Sequence, residues 1–249
     1  MSVLNSILDA FSEFKPIIPS LAHKTSIPLY VICHNNELYV QQTIEQLDHL
    51  FQTIIIINNA STCESTQKYL ANLSPEIKII NNSTNIHPSN LVQTMTFPEK
   101  FCLTDPDLAY PENFGEFVKR MDTLAVELQT FKIGPALYLK DWQKIYTDQY
   151  VPGATITQWE SQNWRTVVAH SKFSIFSGGI DTTFAFYDKS FESAGKCARV
   201  ADFAAKHLPW YPEHNNALSP NQIHNMYTVD CPFSTIGGII RKHYIPENV

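Results

Sequence analysis

Four consecutive isoleucines, Ile54 to Ile57, constrain this chain more than any other feature. Successive side chains of a β-strand point to opposite faces, so an unbroken apolar run is stable only where both faces are covered. The run therefore predicts a central strand of a parallel sheet, from Phe51 to Ile57, with helices on either side. Neighbouring segments fit the same plan. Ile27 to Cys33 reads as a first buried strand closed by the turn His34-Asn35-Asn36. Ile77 to Ile80 reads as a third, ending in Asn81-Asn82-Ser83-Thr84-Asn85. Tyr39, Val40, Ile44, Leu47 and Leu50 share a helical face between the first two, and a further helix runs through Tyr69 and Leu70. After an irregular helical stretch, Phe101, Cys102 and Leu103 form a fourth strand. The order β-α-β-α-β-α-β implies right-handed crossovers, with each strand ending in a polar turn at the same sheet edge.

The second half is read by the same periodicities. Pro111 opens a helix carrying Val118, Met121, Leu124 and Leu128, and Phe131 to Leu139 is a further strand. Gly178-Gly179-Ile180-Asp181 leads into an apolar strand from Thr183 to Tyr187. Ala198 to Lys206 reads as a helix followed by His207-Leu208-Pro209-Trp210-Tyr211. The last basic residues, Arg241, Lys242 and His243, either close over a bound diphosphate or belong to a solvated tail. At the amino end, Leu4, Ile7, Leu8, Phe11 and Phe14 predict an amphipathic helix from Ser2 to Phe14, followed by a loop. Its apolar face packs on its own domain or, as the alternative, makes peripheral membrane contact, although its polar side lacks the basic residues of an interfacial anchor.

At 249 residues the chain suits one large α/β domain or two intimately joined halves. A formal charge of -6 without any Lys/Arg cluster argues against nucleic-acid binding. Cys33, Cys63, Cys102, Cys197 and Cys231 are odd in number and show no Cys-x-x-Cys spacing, which suits reduced thiols in a cytoplasmic protein. The amino terminus has neither the basic region nor the apolar run of a secretory signal, and no segment is long enough to span a bilayer. The sequons at Asn59, Asn72, Asn81 and Asn82 are accordingly read as turn residues.

Chemistry concentrates just after the fourth strand, in Thr104-Asp105-Pro106-Asp107. Proline fixes its own φ and holds Asp105 extended, so two carboxylates leave the strand's carboxyl end together, where open α/β sheets bind ligands. Like charges that close are costly unless a cation lies between them, and a hard divalent ion carrying a diphosphate meets that need. The same residues are also good turn chemistry anywhere. No Gly-x-Gly-x-x-Gly or Gly-x-x-x-x-Gly-Lys loop follows any strand, which weakens dehydrogenase and P-loop readings.

Three segments in order, Pro28-Leu29-Tyr30-Val31-Ile32-Cys33-His34-Asn35-Asn36, Ile54-Ile55-Ile56-Ile57-Asn58-Asn59-Ala60-Ser61-Thr62 and Thr104-Asp105-Pro106-Asp107, resemble the GT-A-fold, nucleotide-sugar-dependent glycosyltransferases of the family-2-like kind. Ile133-Gly134-Pro135-Ala136-Leu137, Trp159-Glu160 with Trp164, Ile180 to Tyr187 and His207 to Tyr211 resemble its small bacterial and viral branch. The likeness covers roughly residues 25 to 215. It implies an α/β, Rossmann-like fold, with a mostly parallel central sheet, helices on both faces and a smaller acceptor-side sheet. The implied layout is one domain over 1–249, with 1–24 an amino-terminal helix and loop, 25–128 a nucleotide-sugar half and 129–249 an acceptor half.

The implied activity is metal-assisted transfer of a sugar from a nucleotide diphosphate-sugar, a UDP-sugar first, to a hydroxyl of a glycan or other acceptor. Asp107 would ligate Mn²⁺ or Mg²⁺, with Asp105 on the ribose or a metal-bound water and His207, or else His214, completing the metal site. Cys33, His34, Asn35, Asn58 and Asn85 would line the nucleoside pocket. Asn58 stands where the family usually has aspartate, so it brings no charge and adds a donor. Trp159, Trp164 and Trp210 would form the acceptor wall, since sugars present apolar faces with hydroxyl rims. An inverting reaction needs a carboxylate to take the acceptor proton, and Asp181 and then Glu160 are the candidates. The alternatives are a sugar-nucleotide pyrophosphorylase-like nucleotidyltransferase and a non-catalytic carbohydrate-binding relic of the fold.

Overall fold

A computed structural model describes residues 24–228 and 234–245. The expected amino-terminal helix and Cys231 lie outside these residues. The strands β1 (Leu29–Cys33), β2 (Ile54–Asn59), β3 (Lys78–Asn82) and β4 (Lys100–Thr104) are parallel and lie in the order β3-β2-β1-β4. Helices α1 (Glu37–Leu47), α2 (Glu64–Ala71) and α3 (Pro88–Thr94) make the crossovers. Register explains the isoleucine run. Ile54 and Ile56 enter one core with Leu29, Val31 and Cys33, while Ile55 and Ile57 enter a second with Tyr30, Ile32 and Leu103. Each isoleucine side chain fully buried in this way contributes about 1.5–3 kcal/mol.

A short strand β5 (Leu108–Ala109) and the helix α4 (Phe114–Leu128) follow, the helix burying Phe114, Phe117, Val118, Met121 and Leu124. The sheet then continues through β6 (Lys132–Leu137) and later strands from the second half. A separate two-stranded sheet, β7 (Gln149–Val151) with β8 (Ala154–Thr155), turns at Gly153, whose φ of 81° favours glycine. It leads into the short helix α5 (Ile156–Glu160), held by a Thr155/Gln158 capping box. The outer strands are β9 (Thr166–Val168) and β10 (Ile175–Ser177). Next comes β11 (Ala185–Asp188), antiparallel between β4 and β6.

The segment expected as a helix from Ala198 to Lys206 is instead the long strand β12 (Cys197–His207), parallel to β6 and antiparallel to β10. Its buried apolar positions are Ala198 and Val200, then Phe203 and Ala205. An irregularity between Val200 and Ala205 shifts the register, so the alternation changes phase midway. That shift imitates a helical spacing in the sequence, and the alanines add helix propensity. Pairing with strands far away in sequence overrides both.

Three helices close the described chain: α6 (Pro212–Asn216), α7 (Pro220–Tyr227) and α8 (Thr235–Tyr244). The described carboxyl-terminal segment is thus a packed helix and not a solvated tail, and its basic side chains have partners within the protein. Lys242 and His243 bond Asp148 at 2.6 and 2.8 Å, and Arg241 donates to the Tyr227 carbonyl. Among the described residues no helix is long and apolar enough to cross a membrane.

Candidate functional site

A cavity of about 610 Å³ opens where β1, β2 and β4 end, walled on the far side by the second half of the chain. Strand parity decides which side chains reach it. Ile32 and His34 share one phase of β1, and Asn59 continues the phase of Ile57 in β2; all three line the cavity. Cys33 and Asn58 have the opposite phase and do not. Cys33 is fully buried in the core, where burial pushes its thiol up to about 12. Asn58 is spent on backbone and neighbour: its Oδ1 accepts from Ser61 N at 3.0 Å, and its Nδ2 donates to Asn81 at 2.9 Å. Asn35 is also turned inward, its Oδ1 accepting from Thr62 and Cys63 N–H and so bracing the start of α2.

Asn59, which sequence reasoning misses, organises this end. Its Nδ2 donates to Asn85 Oδ1 at 2.8 Å, and its carbonyl faces His34 Nδ1 at 2.8 Å. A carbonyl only accepts, so Nδ1 carries a proton, and Asn85 Nδ2 lies 3.3 Å from Nε2. His34, Asn59 and Asn85 thus make a polar wall.

At the centre lies the aspartate pair. The pairing of β5 with β12 sets Leu108 opposite His207, and Leu208 N donates to Asp107 O at 2.9 Å. This zips the Asp107 turn to the end of β12 and brings His207 Nε2 within 3.6 Å of Asp107 Oδ1. His207 therefore ends a strand, not a helix. Burial holds its imidazole below the usual range, against the pull of Asp107 and Asp181. Asp107 Oδ1 is buried without a hydrogen-bond partner among the described residues. Asp105 faces elsewhere: its Oδ2 accepts from the Thr182 hydroxyl, and its N–H donates to Thr182 O at 2.8 Å. Burial first, and then the charge of Asp107, raises its carboxyl well above the usual range.

No group of three or more His, Cys, Asp or Glu able to hold a metal occurs among the described residues. Asp107 and His207 offer two donors, an oxygen and an imidazole, a set that Mn²⁺ accepts. Divalent ions at phosphate sites are commonly held by one or two protein donors, with substrate phosphates and water completing the shell. Asp107 and His207 are the residues that would hold such an ion, while Asp105 Oδ2 is engaged by Thr182. His214 does not line the cavity but is buried behind it, with Nε2 3.0 Å from the hydroxyl of the lining residue Tyr39.

The remaining candidates divide. Asp181 lines the cavity and its carboxylate has no hydrogen-bond or ion-pair partner among the described residues, whereas Glu160 is committed. It pairs with Arg199 at 2.9 Å, both side chains 4% exposed, and accepts from Asn163 at 3.2 Å. Trp159, half exposed, and Trp210, buried against His207 with ring centroids 4.8 Å apart, line the cavity. Trp164 packs on Phe176 instead. Sequence reasoning misses Arg199 because it places the residue in a helix, although a lone charge in Cys197-Ala198-Arg199-Val200 is a usable signal.

No family model matches the chain, and no curated protein does. Among solved structures the chain is similar to 4-diphosphocytidyl-2C-methyl-D-erythritolsynthase from Anaerococcus prevotii DSM 20548, at 12% identity and a TM-score of 0.35. The match covers 68% of this chain and 76% of that one, and a likeness so weak carries no argument about function.

Proposed function

We propose that this protein is a metal-assisted transferase taking a nucleotide diphosphate-sugar as donor and a hydroxyl of a glycan or other molecule as acceptor. One observation carries the reading: Asp107 with His207, the unpaired Asp181 and the aromatic side chains Trp159 and Trp210 surround a single cavity at the carboxyl edge of parallel strands. The resemblance of the sequence motifs to GT-A-fold glycosyltransferases supports it. His34, Asn59 and Asn85 would hold the nucleoside, and Asp107 and His207 would hold Mn²⁺ or Mg²⁺. A bound cation there would neutralise charge developing on the leaving diphosphate. Asp181, open to the cavity, would accept the proton of the attacking hydroxyl. Trp159 at the mouth would stack on an acceptor sugar. Glu160 has a different task, since protonating it would strand Arg199.

Nucleotidyl transfer onto a sugar phosphate is the second reading. By its name, the synthase from Anaerococcus prevotii stands nearer to this chemistry than to glycosyl transfer, at a likeness too weak to weigh. Against this reading, the turn His34-Asn35-Asn36 has no glycine, lysine or arginine to hold a triphosphate. Arg199, the one Lys or Arg among the described lining residues, is tied to Glu160.

Product analysis separates the readings. Incubation with nucleotide diphosphate-sugars and Mn²⁺ is expected to release nucleoside diphosphate, and nucleoside triphosphate with sugar 1-phosphate no pyrophosphate. Pyrophosphate release would establish the second reading. Sugar binding without either product would leave a carbohydrate-binding relic.

A further inference from the structure

The segment Gly179 to Thr182 is held in an unusual way: each of its four backbone carbonyls accepts a hydrogen bond from a group outside the segment. Arg199 Nε donates to Gly179 O at 2.7 Å. Lys132 Nζ donates to Ile180 O at 2.6 Å and to Asp181 O at 2.5 Å. Asp105 N donates to Thr182 O at 2.8 Å, and the Thr182 hydroxyl returns a bond to Asp105 Oδ2. Amid these anchors the Asp181 carboxylate has no hydrogen-bond or ion-pair partner among the described residues, and Asp181 lines the cavity.

Lys132 makes the arrangement expensive. It is 8% exposed, and the bonds of its ammonium among the described residues go to two carbonyls and to no carboxylate. Burial lowers its ammonium to about 8, while Asp181 and Asp105 nearby favour the charge. Its Nζ also stands over the Tyr187 ring, 4.9 Å from the centroid. A fold needing only to fill this space would do better with an apolar side chain, because a buried ammonium loses hydration that two carbonyls and a ring repay only in part.

We infer that Asp105, Lys132 and Arg199 are positioning residues, which together set where the Asp181 carboxylate stands. Asp105, the first aspartate of the pair, then acts through Thr182 on Asp181 and not as a ligand of nucleotide or metal. The kinetic part rests on the transferase reading; the geometric part does not. A reactive group misplaced by about 1 Å costs on the order of 10²-fold in rate while leaving binding of the other substrate intact.

The test uses the full chain and the variants Thr182→Val, Thr182→Ser, Asp105→Ala and Lys132→Met. Backbone hydrogen exchange is expected to rise across residues 179–183 in Thr182→Val and Lys132→Met and to stay near wild type in Thr182→Ser. With a nucleotide diphosphate-sugar that the wild type turns over, Thr182→Val should lower kcat by about 10²-fold with donor KM within about twofold. Thr182→Ser should recover most of that loss. Asp105→Ala with Thr182→Val should be no worse than either alone, as for two ends of one contact. Unchanged exchange at 179–183 overturns the inference, as does a donor KM that rises in Asp105→Ala while kcat holds. A wild type without turnover removes the transferase reading and leaves exchange to decide the anchoring; Thr182→Val decides it should Lys132→Met fail to fold.

Discussion

Asp181 and Glu160 are carboxylates on the wall of one cavity, and their surroundings differ: Arg199 pairs with Glu160, and no described residue pairs with Asp181. Asp181→Asn should lower turnover by about 10²–10⁴-fold with little change in melting temperature, as expected of a general base. Glu160→Gln should do the reverse, destabilising the fold by about 3–5 kcal/mol in denaturant titration, since it leaves the Arg199 charge buried without its partner. Equal turnover in Asp181→Asn and wild type would remove the base. His214 bears on stability through its burial. Burial lowers its pKa from 6.5 to about 4, so the folded chain keeps it neutral while the unfolded chain binds the proton. Its contribution is complete above the unfolded value and is lost as pH falls from 6.5 towards about 4, a cost on the order of 3 kcal/mol. His214→Phe should flatten the fall in stability across that window, measured by denaturation at pH 7 and pH 4.5. At this scale the sequence shows which residue types carry chemistry, but not what each touches. Glu160 and Asp181 look alike until Arg199 is placed beside one of them.

Elements bring these residues together by close approach. A Cβ added at Gly134 on β6 would lie 2.2 Å from Phe184 O, so only glycine lets this strand run against the start of β11. Gly134→Ala should cost about 3 kcal/mol or more, because backbone rather than a flexible side chain must give way. The displaced segment carries Asp181, so hydrogen exchange should rise there first; unchanged exchange and stability would show that the approach has slack. The strand β12 shows why this level is only partly legible. Short strands with a constant phase, such as β1 and β2, announce themselves. A long strand that changes phase at Val200 to Ala205 does not, because its partners lie elsewhere in the chain. With β12 read as a helix, the pairing of His207 with Leu108 is invisible, although His207 itself stands out in the sequence.

Across the described residues, the sheet opens with four parallel strands, and their carboxyl edge borders the cavity. That much follows from four isoleucines and the polar turns after each strand. The same parity separates His34 and Asn59, which reach the cavity, from Cys33 and Asn58, which do not. Applied from Ile57 one step further, it exchanges Asn58 for Asn59 in the sequence itself. On the proposed function, Asp107 and His207 make the cavity a metal-dependent nucleotide diphosphate site. Calorimetric titration of uridine and other nucleoside diphosphates, with and without Mn²⁺, tests it most directly. Binding should be at least about tenfold tighter with Mn²⁺, or about 1.4 kcal/mol, and Asp107→Ala should abolish that difference without unfolding the chain. Equal affinity with and without the metal, or an Asp107→Ala variant that keeps the difference, would contradict the claim.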